Sequence, residues 1–457
     1  MIALSPPAAP KVSVLMLTYG AREWVQRSLA ALVANTPACF ELIILDNASP
    51  DGTGDWLEGH LAGATILRNP ANVGFGPGVN QAALAARGDY LCLLNSDAMV
   101  EPGWLGPLLA DLEHVAGCGV VVPRLLNLDG TLQEAGAVVG CNGATMALGY
   151  GGSPERPWHR FPLFVSYGSG ACMLLRRSDF LALGGFDPIY GKGYYEDVDL
   201  CLRMAERGLR TVYEPRSVVR HVRGASSPSA SVQGLLKENA RRFRTRWATH
   251  LAGLPPLADL PSHPYRVLAA RDAGAPDRVL IIGARQPRSA DGRSARLAAA
   301  IIAAAGQARV TVIALEDPAP AEEAAWLLDA GVELIWGVGN WEDWMHRCRC
   351  HYSVAVLTDG WVAGRAMALL DAYQPQASVV LDVASPSMLT PYPLKVWDRA
   401  ACVWLGAPEM AAVVAGLAPG IPTFSLPLTD GTAGGELARA LATVGVLPTG
   451  PAGWGAT

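Results

Sequence analysis

The chain has 457 residues, of which 51% are apolar and 17% charged, and its formal net charge is −5. That is too long for one ordinary core and too apolar for a disordered chain, so two globular domains are expected. The slight acidity excludes a general nucleic-acid coat and leaves room for a local site for a phosphorylated small molecule.

No run approaches the ~18 apolar residues of a membrane span, and the opening "MIALSPPAAPK" lacks a basic segment followed by an apolar one, so a cytoplasmic protein without span or signal peptide is expected. Nine scattered cysteines read as reduced thiols rather than a disulfide framework. Cys348, Cys350 and His351 in "CRCH" have no partner cluster at zinc-site spacing.

After a short N-terminal tail (residues 1–10), "KVSVLMLTY" is a continuous β-branched and apolar run, and "REWVQRSLAALVAN" follows with apolar residues at helical spacing. "FELIILDNASPDGTGDWLEGHL" and "ATILRNPANVGFGPGVNQAALAARGDYLCLLNSD" repeat the alternation, which predicts a mostly parallel sheet covered by helices on both faces. Ligands of such sheets sit at the carboxyl ends of the strands. The polar interruptions fall there: Thr18 and Tyr19, then Asp46 and Asn47, then Asn95, Ser96 and Asp97.

Residues 125–164 are Gly-rich with weak periodicity, and predict loops and short antiparallel strands. "VSYGSGACMLLRRSDFLALGGFDPIYGKGYYEDVDLCLR" predicts a strand, a short helix, a Gly-rich loop and a helix starting near Glu196; "SVVRHVRGASS" predicts a short strand carrying His221. A basic helix, "LLKENARRFRTRWATHL", closes the first domain, expected over residues 11–252, and a Pro-rich linker over 253–275 follows. "DRVLIIGARQP", "ARVTVIALED", "HYSVAVLTDG" and "ASVVLDVAS" predict a second, smaller Rossmann-like α/β domain over 276–447, ahead of a disordered tail at 448–457.

Asp97 is a hard oxygen donor at a strand end, and one carboxylate, one imidazole such as His221, water and substrate phosphates suffice for a magnesium or manganese ion. Asp46 and Asn47 offer acceptor and donor groups suited to a pyrimidine edge or a ribose. Glu196 and Asp197 fall in the first turn of their helix, where the dipole favours carboxylates and keeps them ionised, as a base requires. Transfer of a sugar from a nucleoside diphosphate needs one base and a placed acceptor hydroxyl, whereas glycoside hydrolysis needs paired carboxylates flanking the bond. Direct displacement inverts the anomeric carbon. Asp199 and Arg203, four apart, predict an ion pair on the helix surface or at the rim. Trp24, Trp56 and Trp104 read as packing residues.

Five stretches in order, "LMLTYGAREWVQRSLAAL", "LIILDNASPDGT", "NPANVGFGPGVNQAALAARGDYLCLLNSDAMVEPGWL", "GSGACMLLRRSDFLALGGFDPIYGKGYYEDVDLCLR" and "HVRGASS", together resemble family 2 glycosyltransferases, in particular the bacterial rhamnosyltransferase-like branch. The resemblance covers roughly residues 11–250 and implies a GT-A-type fold: a mixed, mostly parallel sheet with helices on both faces. It implies that Thr18, Tyr19, Asp46 and Asn47 bind the nucleotide, with Asp46 toward the base, and that Asn72, Gly74, Phe75 and Asn80 form a loop that holds it. By the same resemblance Asn95, Ser96 and Asp97 stand at the family's Asp-x-Asp signature, with Asp97 and His221 as metal and diphosphate contacts. Gly170 and Ala171 then line the donor sugar pocket, and Asp197, beside Glu196, is the catalytic base.

Gly20 stands where the family usually has Asn, and Asn-Ser-Asp where many members have Asp-x-Asp or Asn-Pro-Asp. The function implied is a metal-dependent (Mn2+ or Mg2+) inverting transfer from a nucleotide-sugar donor, dTDP-rhamnose or a UDP-hexose, to a growing glycan or a lipid-linked glycan. The alternatives are a non-catalytic sugar-nucleotide or glycan-binding module and a nucleotidyltransferase. "LTYGAREW" fits poorly the Gly-rich activating loop of the latter.

Lys237, Arg241, Arg242, Arg244 and Arg246 on the basic helix allow peripheral membrane association at the inner face, with Leu235, Leu236, Phe243 and Trp247 as an apolar side. The competing reading is a helix that completes the fold. Residues 278–385 resemble, less specifically, the N-terminal half of family 4 glycosyltransferases, without the half that would hold a donor. That implies acceptor binding, assembly or a vestigial role for the second domain.

Overall fold

The computed structural model describes residues 2–37, 39–222, 229–257, 271, 278–287, 308–317, 325–329, 331–337, 339–358, 360–383, 394–406 and 410–425. The loop following "GARQP", the stretch "RGASS" after Val222, most of the Pro-rich linker and the C-terminal tail lie outside the described residues. The chain divides into two compact units, Met1–Asp259 and Leu260–Thr457.

In the first unit, β1 (Ile2–Ala3) precedes the core alternation of β2 (Val12–Thr18), α1 (Arg22–Asn35), β3 (Phe40–Asp46), α2 (Thr53–His60), β4 (Leu61–Ala62), β5 (Thr65–Arg68), α3 (Phe75–Ala85) and β6 (Tyr90–Leu94). There follow β7 (Ala98–Val100), α4 (Leu105–His114), β8 (Cys118–Leu126), β9 (Leu132–Glu134), β10 (Ala137–Val139), β11 (Thr145–Ala147) and β12 (Leu163–Val165). The unit ends with β13 (Cys172–Arg176), α5 (Arg177–Ala182), α6 (Glu196–Ala205), β14 (Arg210–His221), α7 (Ser229–Arg246) and α8 (Ala248–Ala252).

The main sheet has the order β12-β14-β8-β13-β6-β2-β3-β5, with β7 paired to β14 and β9 to β8. From β6 through β5 all pairs are parallel; β13 alone runs against both its neighbours, β6 and β8. This is the mixed, mostly parallel sheet expected. Its strands are nearly continuous buried runs, Val12, Val14 and Met16 on β2 with Leu42 and Ile44 on β3, because helices cover the sheet.

Two sequence expectations change. The strand that carries His221 is not short. It starts at Arg210 and runs twelve residues, with a register shift between Glu214 and Val218 that absorbs Pro215, a residue unable to donate to the ladder. Asp199 and Arg203 do not form a surface pair: Asp199 is fully buried, and its carboxylate takes Arg203 Nε at 2.7 Å, Trp247 Nε1 at 2.9 Å and Tyr190 Oη at 3.1 Å. Two of those partners lie outside α6, which sequence spacing along one helix does not register.

Phe243 on α7 and Trp247 just after it point inward, at 0% and 5% exposure, while Arg242 donates to the Ile189 carbonyl and Arg246 to Asp187. Helix and aromatics therefore complete the fold. Trp104 is fully buried and donates to Thr36, as a packing residue would, and the nine cysteines are all unpaired thiols. No helix among the described residues is long and apolar enough to cross a membrane.

The second unit carries one all-parallel sheet of seven strands, β15 (Arg278–Gly283), β16 (Arg309–Ala314), β17 (Glu333–Trp336), β18 (Val354–Leu357), β19 (Ser378–Val383), β20 (Ala400–Leu405) and β21 (Thr423–Ser425), in the order β17-β16-β15-β18-β19-β20-β21. The order reverses between β15 and β18, the doubly wound arrangement of a Rossmann-like domain.

Candidate active site

Strand pairing sets the rim. Thr18 lies opposite Asp46, and Asp46 opposite Arg68, so the carboxyl ends of β2, β3 and β5 line up in register. The turn after β2 needs left-handed backbone at Gly20 (φ +72°) and Ala21 (φ +55°). Gly and Asn adopt that conformation most readily, so Gly20 in place of the family's Asn keeps the turn. Tyr19 stays partly exposed beside it.

Asp46 is buried; its Oδ1 accepts the Ser49 N–H at 3.2 Å, while Oδ2 has no hydrogen-bond donor among the described residues and lies 3.7 Å from Arg68 Nε. Asn47 uses both ends of its amide on the next loop, donating to Asn72 Oδ1 at 2.9 Å and accepting from the Val73 N–H at 3.1 Å. Asn80 likewise exchanges two bonds with the Phe186 backbone, at 2.8 and 2.9 Å. The side-chain amides of these two residues, both expected at the nucleotide, thus bind neighbouring loops, since buried amide groups must be paired.

Gly74 (φ +98°) brings the first of those loops against the second: a Cβ there would lie 2.6 Å from the Gly191 carbonyl, and the Phe75 N–H donates to the Lys192 carbonyl at 3.1 Å. Phe75 packs on Phe186, with ring centroids 5.7 Å apart, and a Cβ on Gly170 would come within 3.3 Å of the Phe75 ring.

At the end of β6, Asn95, Ser96 and Asp97 turn into β7, which pairs with β14 so that His221 faces Ala98. Asp97 Oδ1 lies 3.3 Å from His221 Nε2, and Asn95 Nδ2 is also 3.3 Å from that nitrogen. The amide of Asn95 thus offers the imidazole a donor where a carboxylate could not. Gln133, on β9, was not singled out by sequence reading; its Oε1 is 2.7 Å from His221 Nδ1.

The residues fit a hard divalent cation. A carboxylate oxygen and an imidazole nitrogen converge at 3.3 Å, close to the roughly 3 Å that separates neighbouring donors on an octahedral ion with bonds of about 2.1 Å. No group of three or more His, Cys, Asp or Glu capable of holding a metal occurs among the described residues, so such an ion would draw further donors from phosphate and water.

The acidic end is tied to this one through backbone. Asn95 N–H donates to the Ala171 carbonyl at 2.9 Å, and the adjacent Gly170 N–H donates to Asp197 Oδ2 at 3.1 Å. Asp197 also accepts the Val198 N–H at 2.8 Å, one of the first-turn amides that have no acceptor within the helix. Burial raises its pKa above the usual carboxylate range, and those backbone donors hold it back. Glu196 is different: burial, with the Asp197 charge beside it, pushes it up to about 8, and its Oε2 has no partner among the described residues. The expectation that the helix dipole keeps both acids ionised is therefore corrected for Glu196, where desolvation outweighs the dipole.

The loop leading into α6 is strained and held. Tyr194 and Tyr195 both have positive φ, +72° and +75°. Asn239 of α7, fully buried, donates to the carbonyls of Tyr190, Gly193 and Tyr194 at 2.7, 2.7 and 3.1 Å. Neither Asn239 nor Gln133 stands in a motif, and both act across long sequence separations.

The sequence model of glycosyl transferase family 2 matches residues 13–184 and takes in no part of the second unit. The chain is similar to the O-antigen biosynthesis protein RfbC of Myxococcus xanthus, 28% identical over 58% of this chain and 21% of that protein. It is also similar to the N-acetylglucosaminyl-diphospho-decaprenol L-rhamnosyltransferase of Mycobacterium tuberculosis, 29% identical over 47% of this chain and 76% of that one. The match thus spans about a fifth of the Myxococcus protein. A crystal structure of GalNAc-T7 with UDP, GalNAc and Mn2+ is similar at 18% identity and a TM-score of 0.42, over 52% of this chain and 48% of that one. By the family model and the ordered motifs, residues 13–184 of the first unit form a glycosyl transferase family 2 region.

Proposed function

We propose that the first unit transfers one sugar, with inversion, from a nucleoside-diphosphate sugar to a hydroxyl of a growing glycan. The observation that carries this reading is the hydrogen-bonded path from the Asp97–His221 pair through Asn95, Ala171 and Gly170 to Asp197, which supports one rim holding both a pair of candidate cation ligands and a carboxylate. A mere binding module needs the first and has no use for the second.

In this reading Thr18, Tyr19 and the unpaired Oδ2 of Asp46 face the nucleotide, while Asn47, Asn72, Gly74 and Asn80 keep its loop in shape. Asp97 and His221 would hold Mn2+ or Mg2+ with the donor, and a cation there supplies positive charge against the departing diphosphate. Gly170 and Ala171 present only backbone and a methyl group to the sugar. Asp197 takes the proton of the acceptor hydroxyl; the oxygen forms its bond to the anomeric carbon as the bond to the diphosphate breaks, and that electron pair leaves with the diphosphate. Placement of the hydroxyl supplies much of the rate. Burial raises Glu196 more than Asp197, whose carboxylate is held by the Gly170 and Val198 N–H groups.

The rhamnosyltransferase name of the Mycobacterium relative supports a rhamnosyl donor such as dTDP-rhamnose ahead of a UDP-hexose, and a lipid-linked acceptor. The second unit then serves acceptor binding or assembly. Screening nucleotide sugars with Mn2+ and Mg2+ for nucleotide release, in wild type, Asp97→Ala and Asp197→Asn, tests the reading. Turnover in the wild type that collapses in both variants supports it; donor binding with no turnover of any donor gives the chain to the non-catalytic alternative.

A further inference from the structure

We propose that Gln133 is a positioning residue for the cation seat, and that it works by dictating which nitrogen of His221 carries the proton. This rests on the reading of Asp97 and His221 as the seat of a metal-bound diphosphate. The side-chain amide of Gln133 can sit only one way round. Its Nε2 is 2.9 Å from the carbonyl oxygen of His221 and 3.0 Å from Asn127 Oδ1. A backbone carbonyl only accepts, so the atom facing it is the NH2 group. Asn127 is fixed in the same way, because its own Nδ2 faces Thr131 Oγ1 at 2.9 Å and the Leu132 carbonyl at 3.5 Å.

The remaining atom of the Gln133 amide, Oε1, therefore faces His221 Nδ1 at 2.7 Å. An amide oxygen cannot donate, so Nδ1 carries the hydrogen and Nε2 of the neutral ring is left with a lone pair. Asn95 Nδ2 lies 3.3 Å from that same nitrogen, a contact compatible with a lone pair there. The lone pair of Nε2 and Asp97 Oδ1, 3.3 Å apart, are then two acceptors side by side, a pair that a divalent ion would bring together. Gln133 is itself only 5% exposed, on a strand paired to β8, so the ring it holds cannot turn over without breaking this network. A neutral amide sets the tautomer while adding no charge to the site. Partners of ligating histidines commonly govern metal affinity by about 10–100-fold.

The test uses the full chain with 15N-labelled histidine, His221 being assigned by its loss in His221→Gln. In the wild type without metal, the expected spectrum shows Nδ1 protonated and Nε2 bare. In Gln133→Met the ring is expected to populate both tautomers, and Mn2+ affinity measured by electron paramagnetic resonance with UDP or dTDP present should fall about 10–100-fold, while affinity for either nucleotide without metal stays within twofold of wild type.

A wild-type Nε2 that carries hydrogen overturns the proposal, whether or not the variant folds. So does a Gln133→Met protein with unchanged tautomer and Mn2+ affinity, or one that loses metal-free nucleotide binding to the same extent, which marks a general loosening. Absence of Mn2+ binding by the wild type with either nucleotide overturns the functional reading and with it the metal role of Gln133. The metal-free spectrum shows separately whether the ring assignment holds.

Discussion

In the first unit the parallel strands β2 and β3 end on Thr18 and Asp46, β6 runs directly into Asn95, and β14 ends on His221. In the second, β15 to β20 end on Gly283, Ala314, Trp336, Leu357, Val383 and Leu405, all small or apolar. The second unit keeps polar chemistry inside: Glu333, fully buried, pairs with Arg271 at 2.6 Å and accepts from Thr311 at 2.7 Å, and Tyr352 and Trp344 extend the chain of bonds. Two parallel sheets thus place their loops alike and differ in what the strand ends offer. Topology supplies a position for a site, and only residues with unspent lone pairs make one.

That contrast can be broken most sharply at Asp197. Replacing it with Asn should lower turnover by about 10²–10⁴-fold, the usual worth of a general base, with no loss of fold by circular dichroism; full transfer by the variant would show the base lies elsewhere. Next in size, Glu333→Ala should cost the second unit about 3–5 kcal/mol in denaturant unfolding, because Arg271 loses its buried carboxylate. Metal–nucleotide affinity of the folded protein should be unchanged. A parallel fall in that affinity would erase the distinction between the units.

Asp199→Ala carries the comparison into a single helix, two residues beyond Asp197. With three hydrogen-bonded partners and Arg246 at 3.2 Å, it should cost about 3 kcal/mol of stability, so this acid behaves like Glu333 and not like its neighbour.

The remaining effect is conditional on pH. Glu196 has a folded pKa of about 8 against an ordinary 4.5, so the native state holds a proton that the unfolded chain releases. The charge on Glu196 therefore costs no stability below about pH 4.5 and progressively more as pH rises toward 8. Glu196→Gln should unfold at the same temperature as wild type in acid and at a higher one at pH 8. Equal melting temperatures across that window would place the charge elsewhere.

Much of this was legible from residues alone. The strand ends, the start of α6 at Glu196, the antiparallel pieces in the Gly-rich region and the parallel second sheet follow from periodicity and turn chemistry. What escaped is long-range pairing of side chains. Asn47 and Asn80 look like ligand residues in a motif, and only the fold shows their amides spent on loop backbone. Gln133 sits on a three-residue strand too short to announce itself, 88 positions from the histidine it holds. Asp199 and Arg203 have the spacing of a surface pair, and their burial depends on Tyr190 and Trp247 arriving from elsewhere.

The two left-handed tyrosines before α6 have a mechanical consequence. Each such residue costs about 1–3 kcal/mol, and the three bonds from Asn239 keep the turn from relaxing. Asn239 belongs to α7, which docks through Phe243. The helix is therefore a latch on a cocked turn: while it is seated, Asp197 is aimed at Gly170, and a chain in which α7 lifts away should uncock the turn and lose its base without losing its sheet.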